Sequence, residues 1–337
     1  METRKVQITG GSTYMITLPK KWAESVNLKA GVEVQMVPLA HNGMVLKPES
    51  VGDIKQKVGH FKLEDQDGPA LVRHIISLYI AGYEVVKVEG EQITSSQRST
   101  IRKTTQSLIG PEIVEESSQQ IVIRNLSDLS ELSIEETLSR IHQISRSMFQ
   151  DSIKALLNFD KELALDVEDR DDDVDRLFLA ISRRFRVMLY DVLAENGEDS
   201  TRVDYFDYQT AAKQLERIAD HSTKIAETVS NLEEPVNDNI SDQISKAAEF
   251  ALKIIDEAIN SLVESNIEAA NLALNRGPEM DEYLLELNKY LRNLDAQSSQ
   301  HLGIVSDSID RVKEYGVNIA ETALNSSCPL PGEVDTL

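Results

Sequence analysis

Cysteine is nearly absent: Cys328, in the closing segment "SSCPLPGEVDTL", is the single one among 337 residues. An intrachain disulfide and a cysteine-based zinc site are therefore both excluded. Long apolar runs are missing too. The most apolar windows, such as "ALVRHIISLYIAG", are too short and carry charge, so no segment is expected to span a membrane. The opening "METRKVQITGG" lacks the apolar core of a signal peptide, and a cytoplasmic location is expected. Positive charge is the minority sign, 35 Lys and Arg against 57 Asp and Glu, for a net charge of −22. That balance argues against a protein coated all over by nucleic acid. With 41% hydrophobic residues the chain can bury cores, and its length points to two or three domains.

The pattern along the chain changes character twice. Residues 1–50 alternate like strands in "RKVQITG", "TYMITL", "VEVQMVPL" and "GMVLKP", with turns at "GGS" and "HNG". Between the second and third, "PKKWAESVNL" reads as a short helix with Pro19 at its first position. A hairpin, a helix and a second hairpin are expected. Residues 51–127 mix signals: "PALVRHIISLYIAG" is helical, "YEVVKV" a strand, "SSQRSTIRKTTQSLIG" a helix stopped by Gly110 and Pro111, and "EIVEE" and "QIVIRNL" two more strands. From Ser133 the text is helical, with breaks near "ENGEDS", "EEPVNDN" and "NRGP". The fold class is thus multidomain: an N-terminal β-hairpin domain, a small α/β module, and an all-α bundle region ending in a tail at 328–337.

The helical region repeats itself. "LERIADHSTKIAE" (215–227) matches "IDRVKEYGVNIAE" (309–321), and "ALLNFDKELA" (155–164) lies over "SLVESNIEAA" (261–270). Two three-helix bundles follow, at 128–231 and 232–327. In the third helix of the first copy, Leu215, Ile218, Ser222, Ile225 and Val229 form the inward stripe, and Glu216 and Asp220 share another face one turn apart. The stretch "VEDRDDDVDRL" places Asp169, Asp171, Asp172, Asp173 and Asp175 within seven positions, with Asp171 and Asp175 at the same i, i+4 spacing. Read as one continuous helix, such a run repels itself. Either solvation or a bound cation offsets this. Antiparallel packing would bring the two carboxylate pairs together into an oxygen-rich site for Mg²⁺, Mn²⁺ or iron. His221 offers a nitrogen beside them, though Tyr315 stands in its place in the second copy.

These motifs resemble the PhoU family of phosphate-uptake regulators, over about residues 130–326. The resemblance implies a divalent or trivalent metal ion (iron, Mn, Mg or Zn) held by an acid-x-x-x-acid motif in each bundle. Matched residue by residue, the motif falls on Asp171, Asp175, Glu216 and Asp220 in the first copy and on Asp281, Asp310 and Glu314 in the second. Gly277 stands where a counterpart of Asp171 would be. The family also implies contact with phosphate transporter components and a regulatory, non-enzymatic role.

The segment "RKVQITGGSTYMITLPKKWAESVNLKAGVEVQMV" followed by "GMVLKP" resembles the AbrB/SpoVT-type swapped-hairpin domain, in which two chains interleave to bind DNA. Charge agrees with this. Residues 1–50 hold six basic and four acidic residues, a net of +2, which leaves −24 for the remainder. A homodimer would gather Arg4, Lys5, Lys20 and Lys21 from both chains, with Ser12 in the Gly10-Gly11-Ser12 turn presenting backbone N–H groups to a phosphate. The other reading is a domain that only dimerises.

Residues 51–127 carry no Gly-rich phosphate loop, no His or acid cluster and no nucleophile; Arg98, Arg102 and Lys103 make a basic patch on one helix. Two functions stand in view: a phosphate-responsive transcriptional regulator, and a DNA-independent adaptor that restrains a membrane phosphate transporter. A carboxylate-bridged dimetal oxidase or hydrolase fits less well, because such sites present Glu-x-x-His on inward faces.

Overall fold

The first hairpin is built on a turn that few side chains tolerate. Strands β1 (Gln7–Thr9) and β2 (Thr13–Met15) pair antiparallel through Ile8↔Tyr14, and Gly10 and Gly11 take φ of +64° and +83° between them. Glycine occupies such φ without a Cβ clash. Helix α1 (Lys20–Ser25) follows, with Pro19 as its N-cap rather than its first helical residue, and β3 (Val34–Leu39) and β4 (Gly43–Pro48) form a second antiparallel hairpin. Residues 1–56 form one compact unit and 57–337 another. The computed structural model describes residues 2–39, 43–48, 57–64, 66–126, 133–190 and 201–328. The expected turn residues His41 and Asn42, the "ENGEDS" break and the end of the tail lie outside them.

In the second unit, β5 (Val58–Lys62) runs parallel to β6 (Val85–Glu89), and β8 (Gln120–Asn125) pairs antiparallel with both β6 and β7 (Pro111–Glu116), in the order β5-β6-β8-β7. Strand β5 was not expected from the sequence. Helices α2 (Gly68–Ile80) and α3 (Ser95–Gln106) cover one face of this sheet, burying Phe61, Leu71, Ile75, Val88, Ile101 and Ile121. Thr94 and Gln97 close a reciprocal capping box at the start of α3. On its outer face Arg98 and Arg102 both grip Glu116 at 3.0 Å. One carboxylate thereby offsets part of the basic patch within its own module.

Seven helices follow among the described residues: α4 (Ile134–Asn158), α5 (Lys161–Asp169), α6 (Asp171–Tyr190), α7 (Arg202–Asn231), α8 (Asp238–Val263), α9 (Ile267–Leu291) and α10 (Ala296–Ser326). The tandem repeat is visible in three dimensions. Phe159 and Ser265 both take left-handed φ, 53° and 52°, at positions 106 residues apart (265 minus 159). At the same offset Asp160 and Asn266 cap the next helix, and Arg170–Asp151 (2.8 Å) and Arg276–Glu257 (2.7 Å) form matching ion pairs.

One feature differs from the sequence reading. The aspartate run does not lie inside a continuous helix: the chain breaks at Arg170, which caps α5, and Asp171, Asp172 and Asp173 form the first turn of α6. There the helix macrodipole favours negative charge, by about 0.3–1 kcal/mol per acid, which offsets part of the expected repulsion. The second copy keeps one unbroken helix, α9, through Gly277 and Pro278.

A buried cation helps to fasten the α/β module to the first bundle, beside the apolar contacts of Ile109 and Leu179. Arg183 of α6 donates to the carbonyl oxygens of Tyr79 and, at 3.0 Å, Tyr83, at the C-terminal end of α2. The Tyr79 carbonyl also accepts the Gly82 N–H at 3.0 Å, so the guanidinium adds a second bond there, supplies one to Tyr83 and complements the helix dipole. Beside it Gly82 lies so close to Val187 that a Cβ would sit 2.9 Å from the valine methyl. Arg183→Ala should lower stability by about 1–3 kcal/mol, since it leaves the Tyr83 carbonyl without this donor in a buried junction. Thermal melting of the full chain reads this, and an unchanged Tm would show that the junction contributes nothing.

Candidate metal centres and nucleic-acid interface

Helices α6 and α7 pack side by side and bring together the four acids of the first copy. Asp171 and Asp175 come from the first two turns of α6, and Glu216 and Asp220 from the middle of α7. Val174, Leu177 and Ile181 of α6 and Leu215, Ile218, Ser222 and Ile225 of α7 are buried as the sequence stripe requires, which fixes the acids on the groove between the helices. Their mutual effect is electrostatic. Burial pushes Asp171 up to about 6, and Asp220, Asp172 and Glu216 add to it, while the Thr223 hydroxyl pulls the other way. Burial likewise raises Asp175 to about 6, with Asp171, Glu216 and Asp220 contributing. Asp220 is raised by burial and by Glu216, against Lys213, Lys224 and Arg217.

Glu216 is well enclosed, with its side chain 13% exposed. Its Oε1 accepts from Lys213 Nζ at 2.6 Å, and its Oε2 is buried without a hydrogen-bond partner. Because the folded pKa values of Asp171 and Asp175 are raised, the native state holds more protons than the unfolded chain between the ordinary Asp range and pH 6. These two groups thus make stability fall as pH rises through that window.

His221 does not join them. It turns to the other side of α7, buried against α10, with Nδ1 3.2 Å from Ser308 Oγ, Nε2 3.5 Å from the Tyr315 hydroxyl and its ring 5.7 Å from that of Tyr315. Burial, helped by Lys224, lowers its pKa to about 4 and keeps it neutral. Its sequence neighbour in the second copy is thus its spatial partner, and its role is in joining the two bundles.

In the second copy the acids Asp281, Asp310 and Glu314 also meet, around a cation that the sequence reading missed. Lys313 Nζ lies 2.6 Å from Asp281 Oδ1, 2.8 Å from Asp310 Oδ1 and 3.0 Å from Glu314 Oε1. The lysine is 5% exposed. Burial alone would lower its pKa, but the three carboxylates outweigh burial and raise it, so it stays an ammonium ion.

The expected DNA-facing residues occupy exposed positions of the first unit. Lys20 opens α1 with its side chain 88% exposed and only a loose 3.7 Å contact to Glu24; Lys5, Lys21 and Ser12 are exposed, and Arg4 is paired with Glu2 at 2.7 Å. The apolar side chains are also uncovered: Val6, Ile8, Tyr14, Ile16, Met36 and Met44 are all more than half exposed, and no described residue of 2–48 is buried.

Residues 138–229, which include all four acids of the first cluster, match the PhoU domain family. The matched stretch is PhoU-like. Residues 7–53 match the family described as antidote-toxin recognition MazE, bacterial antitoxin, so the PhoU-like bundles are joined to a MazE/AbrB-like domain. Over 207 residues the chain is 22% identical to the phosphate-specific transport system accessory protein PhoU homolog of Clostridium acetobutylicum, covering 59% of this chain and 91% of that protein. Crystal structures of PhoU share the fold. That of the phosphate transport system regulatory protein from Streptococcus pneumoniae gives a TM-score of 0.50 at 17% identity, covering 58% of this chain and 93% of its own. That of PhoU from Pseudomonas aeruginosa gives 0.51 at 18%, covering 57% and 93%.

The metal that the PhoU resemblance implies can be tested against the residues of each bundle. In the first, the donor set is all oxygen, the carboxylates are left with uncompensated charge, and one buried carboxylate oxygen has no partner. Such a set suits a hard cation. Among the described residues, no three carboxylate, imidazole or thiol groups close around one point as a metal shell. In the second bundle the same positions clasp an ammonium ion, and the donor set does not fit. In the repeat alignment Lys313 stands opposite Ala219, which is fully buried. No helix among the described residues is long and apolar enough to cross a membrane.

Proposed function

We propose that this chain is a phosphate-responsive transcriptional regulator of phosphate uptake. Two N-terminal units pair and bind DNA through Arg4, Lys5, Ser12, Lys20 and Lys21, while the PhoU-like bundles report phosphate status through metal on Asp171, Asp175, Glu216 and Asp220 and through contacts with other proteins. The observation that carries the reading is the first unit itself. Its apolar side chains are uncovered, with no described residue buried, and an exposed apolar surface of this kind marks an interface. A second copy supplies the missing core and doubles the set of exposed cations, whose phosphate contacts provide most non-specific DNA affinity. The regulatory rather than catalytic reading agrees with the accessory and regulatory roles in the names of its relatives.

A second reading is favoured by the same coverage. The relatives named for phosphate transport match a stretch the size of the helical region, which alone would make the protein an adaptor on transporter components, with the hairpin unit only pairing chains. A gel-shift assay of the full chain on its own promoter and on promoters of phosphate-transport genes separates the two. A discrete shift at about 0.15 M salt supports the regulator. Absence of any shift, together with co-purification with transporter components, would establish the adaptor instead.

A further inference from the structure

The two acidic clusters occupy equivalent places in the repeat but are balanced by different means. Aligning 215–227 on 309–321 sets Asp310 on Glu216, Glu314 on Asp220 and Lys313 on Ala219; the earlier part of the repeat sets Asp281 on Asp175 and Gly277 on Asp171. The second cluster thus has one carboxylate fewer, and its ammonium comes from another position: Asp307 stands opposite Lys213, and Lys313 opposite Ala219.

The lysines of the two clusters act differently. Lys213 touches Glu216 from the flank and leaves Glu216 Oε2 buried and unpartnered. Lys313 starts from a position that its twin fills with a buried alanine, and its stem runs within the packed interior until the head reaches the acids. There it meets three carboxylates from two helices, α9 and α10, within 3.0 Å. An ammonium has three N–H donors and no acceptor, so three carboxylates can share it. The hydrogen bond to Asp281 crosses between helices, at 2.6 Å; Asp310 Oδ1 lies at 2.8 Å without hydrogen-bonding geometry.

A divalent ion would need these same oxygens at about 2.0–2.6 Å, in the space the ammonium fills. The lysine head would have to be expelled first, and its stem is held by packing. We propose that Lys313 is a tethered cation that takes the metal's place in the second bundle, so that the chain accepts divalent metal in the first bundle only and a neutral residue at 313 opens a second site.

This rests on the metal reading of the first bundle, and the test keeps the two apart. Mn²⁺ bound per full-length chain is counted by electron paramagnetic resonance of the free ion for wild type, Lys313→Met and Lys313→Ala, with circular dichroism confirming the helices. Lys313→Met keeps the stem while removing the charge, which guards against a variant that fails to fold. Both variants should bind at least one more Mn²⁺ than wild type, and the rise in Tm on adding Mn²⁺ should be larger for them than for wild type. Equal Mn²⁺ counts in wild type and in the folded Lys313→Met chain would overturn the inference, whatever the wild-type count. Metal on wild type that is lost in Asp310→Ala but kept in Asp171→Ala would overturn it too. A wild type that binds no Mn²⁺ overturns the first-bundle reading alone, and the difference between variant and wild type still decides this one.

Discussion

Alanine at both Lys20 and Lys21 should weaken binding of the full chain to every DNA sequence alike. If two chains pair, four cations leave the interface. Each phosphate contact adds about 0.9 to the slope of log affinity against log salt, so the slope should flatten by about 3–4 units. At 0.15 M salt that corresponds to a loss on the order of a thousandfold. Lys20 is free to make such a contact, since its 3.7 Å pairing with Glu24 is solvent-exposed and such pairs hold little energy. Arg4 must first leave Glu2, so Arg4→Ala should cost less. Titrations of wild type and double variant at several salt concentrations measure both quantities. Unchanged affinity and slope would remove Lys20 and Lys21 from the interface.

Asp171→Ala or Glu216→Ala should abolish most of the metal-dependent stabilisation, while Asp310→Ala should change it little. A ligand that binds only the folded state at a hundredfold excess over its Kd adds about 2.7 kcal/mol, or about 5–10 °C in Tm for a domain of this size. The sign without metal is opposite. Asp171 is held up at about 6 by burial and neighbouring acids, so its ionised form is a source of repulsion at pH 7. Metal-free Asp171→Ala should therefore melt at or above wild type, and below it once Mn²⁺ is added. Protons compete for the same oxygens, so Mn²⁺ affinity should fall as pH drops below about 6. Melting curves with and without Mn²⁺ at pH 5 and pH 7.5 read all of this. A larger loss for Asp310→Ala than for Asp171→Ala would mean that the bundles are ranked in the wrong order.

Much of this arrangement is legible in the sequence because helical periodicity is local. The stripe of Leu215, Ile218, Ser222 and Ile225 predicts both the buried face of α7 and the placement of Glu216 and Asp220, and the tandem repeat predicts which acids correspond. What escapes is whatever depends on a distant partner. Strand β5 is five residues long, contains Gly59, and is defined by its parallel pairing with β6, a contact that no local pattern announces. The break at Arg170 is hidden because Asp suits a first helical turn as well as an exposed helix face. His221 follows Asp220 in sequence, yet one residue is about 100° of rotation on a helix, enough to point it at Tyr315 on α10. A lysine on an amphipathic helix reads as solvated. Only the packing of α9 on α10 shows Lys313 to be buried among three carboxylates.

For a phosphate-responsive regulator of the kind proposed, a signal in the bundles must alter the grip on DNA. The most direct test is the Kd of the full chain for a promoter duplex, measured with and without saturating Mn²⁺ at fixed salt. Coupling between sites is about 1–3 kcal/mol, so the Kd should change by about 5–150-fold in wild type and stay constant in Asp171→Ala. Equal Kd values with and without Mn²⁺, in wild-type protein shown to carry the bound ion, would contradict the account.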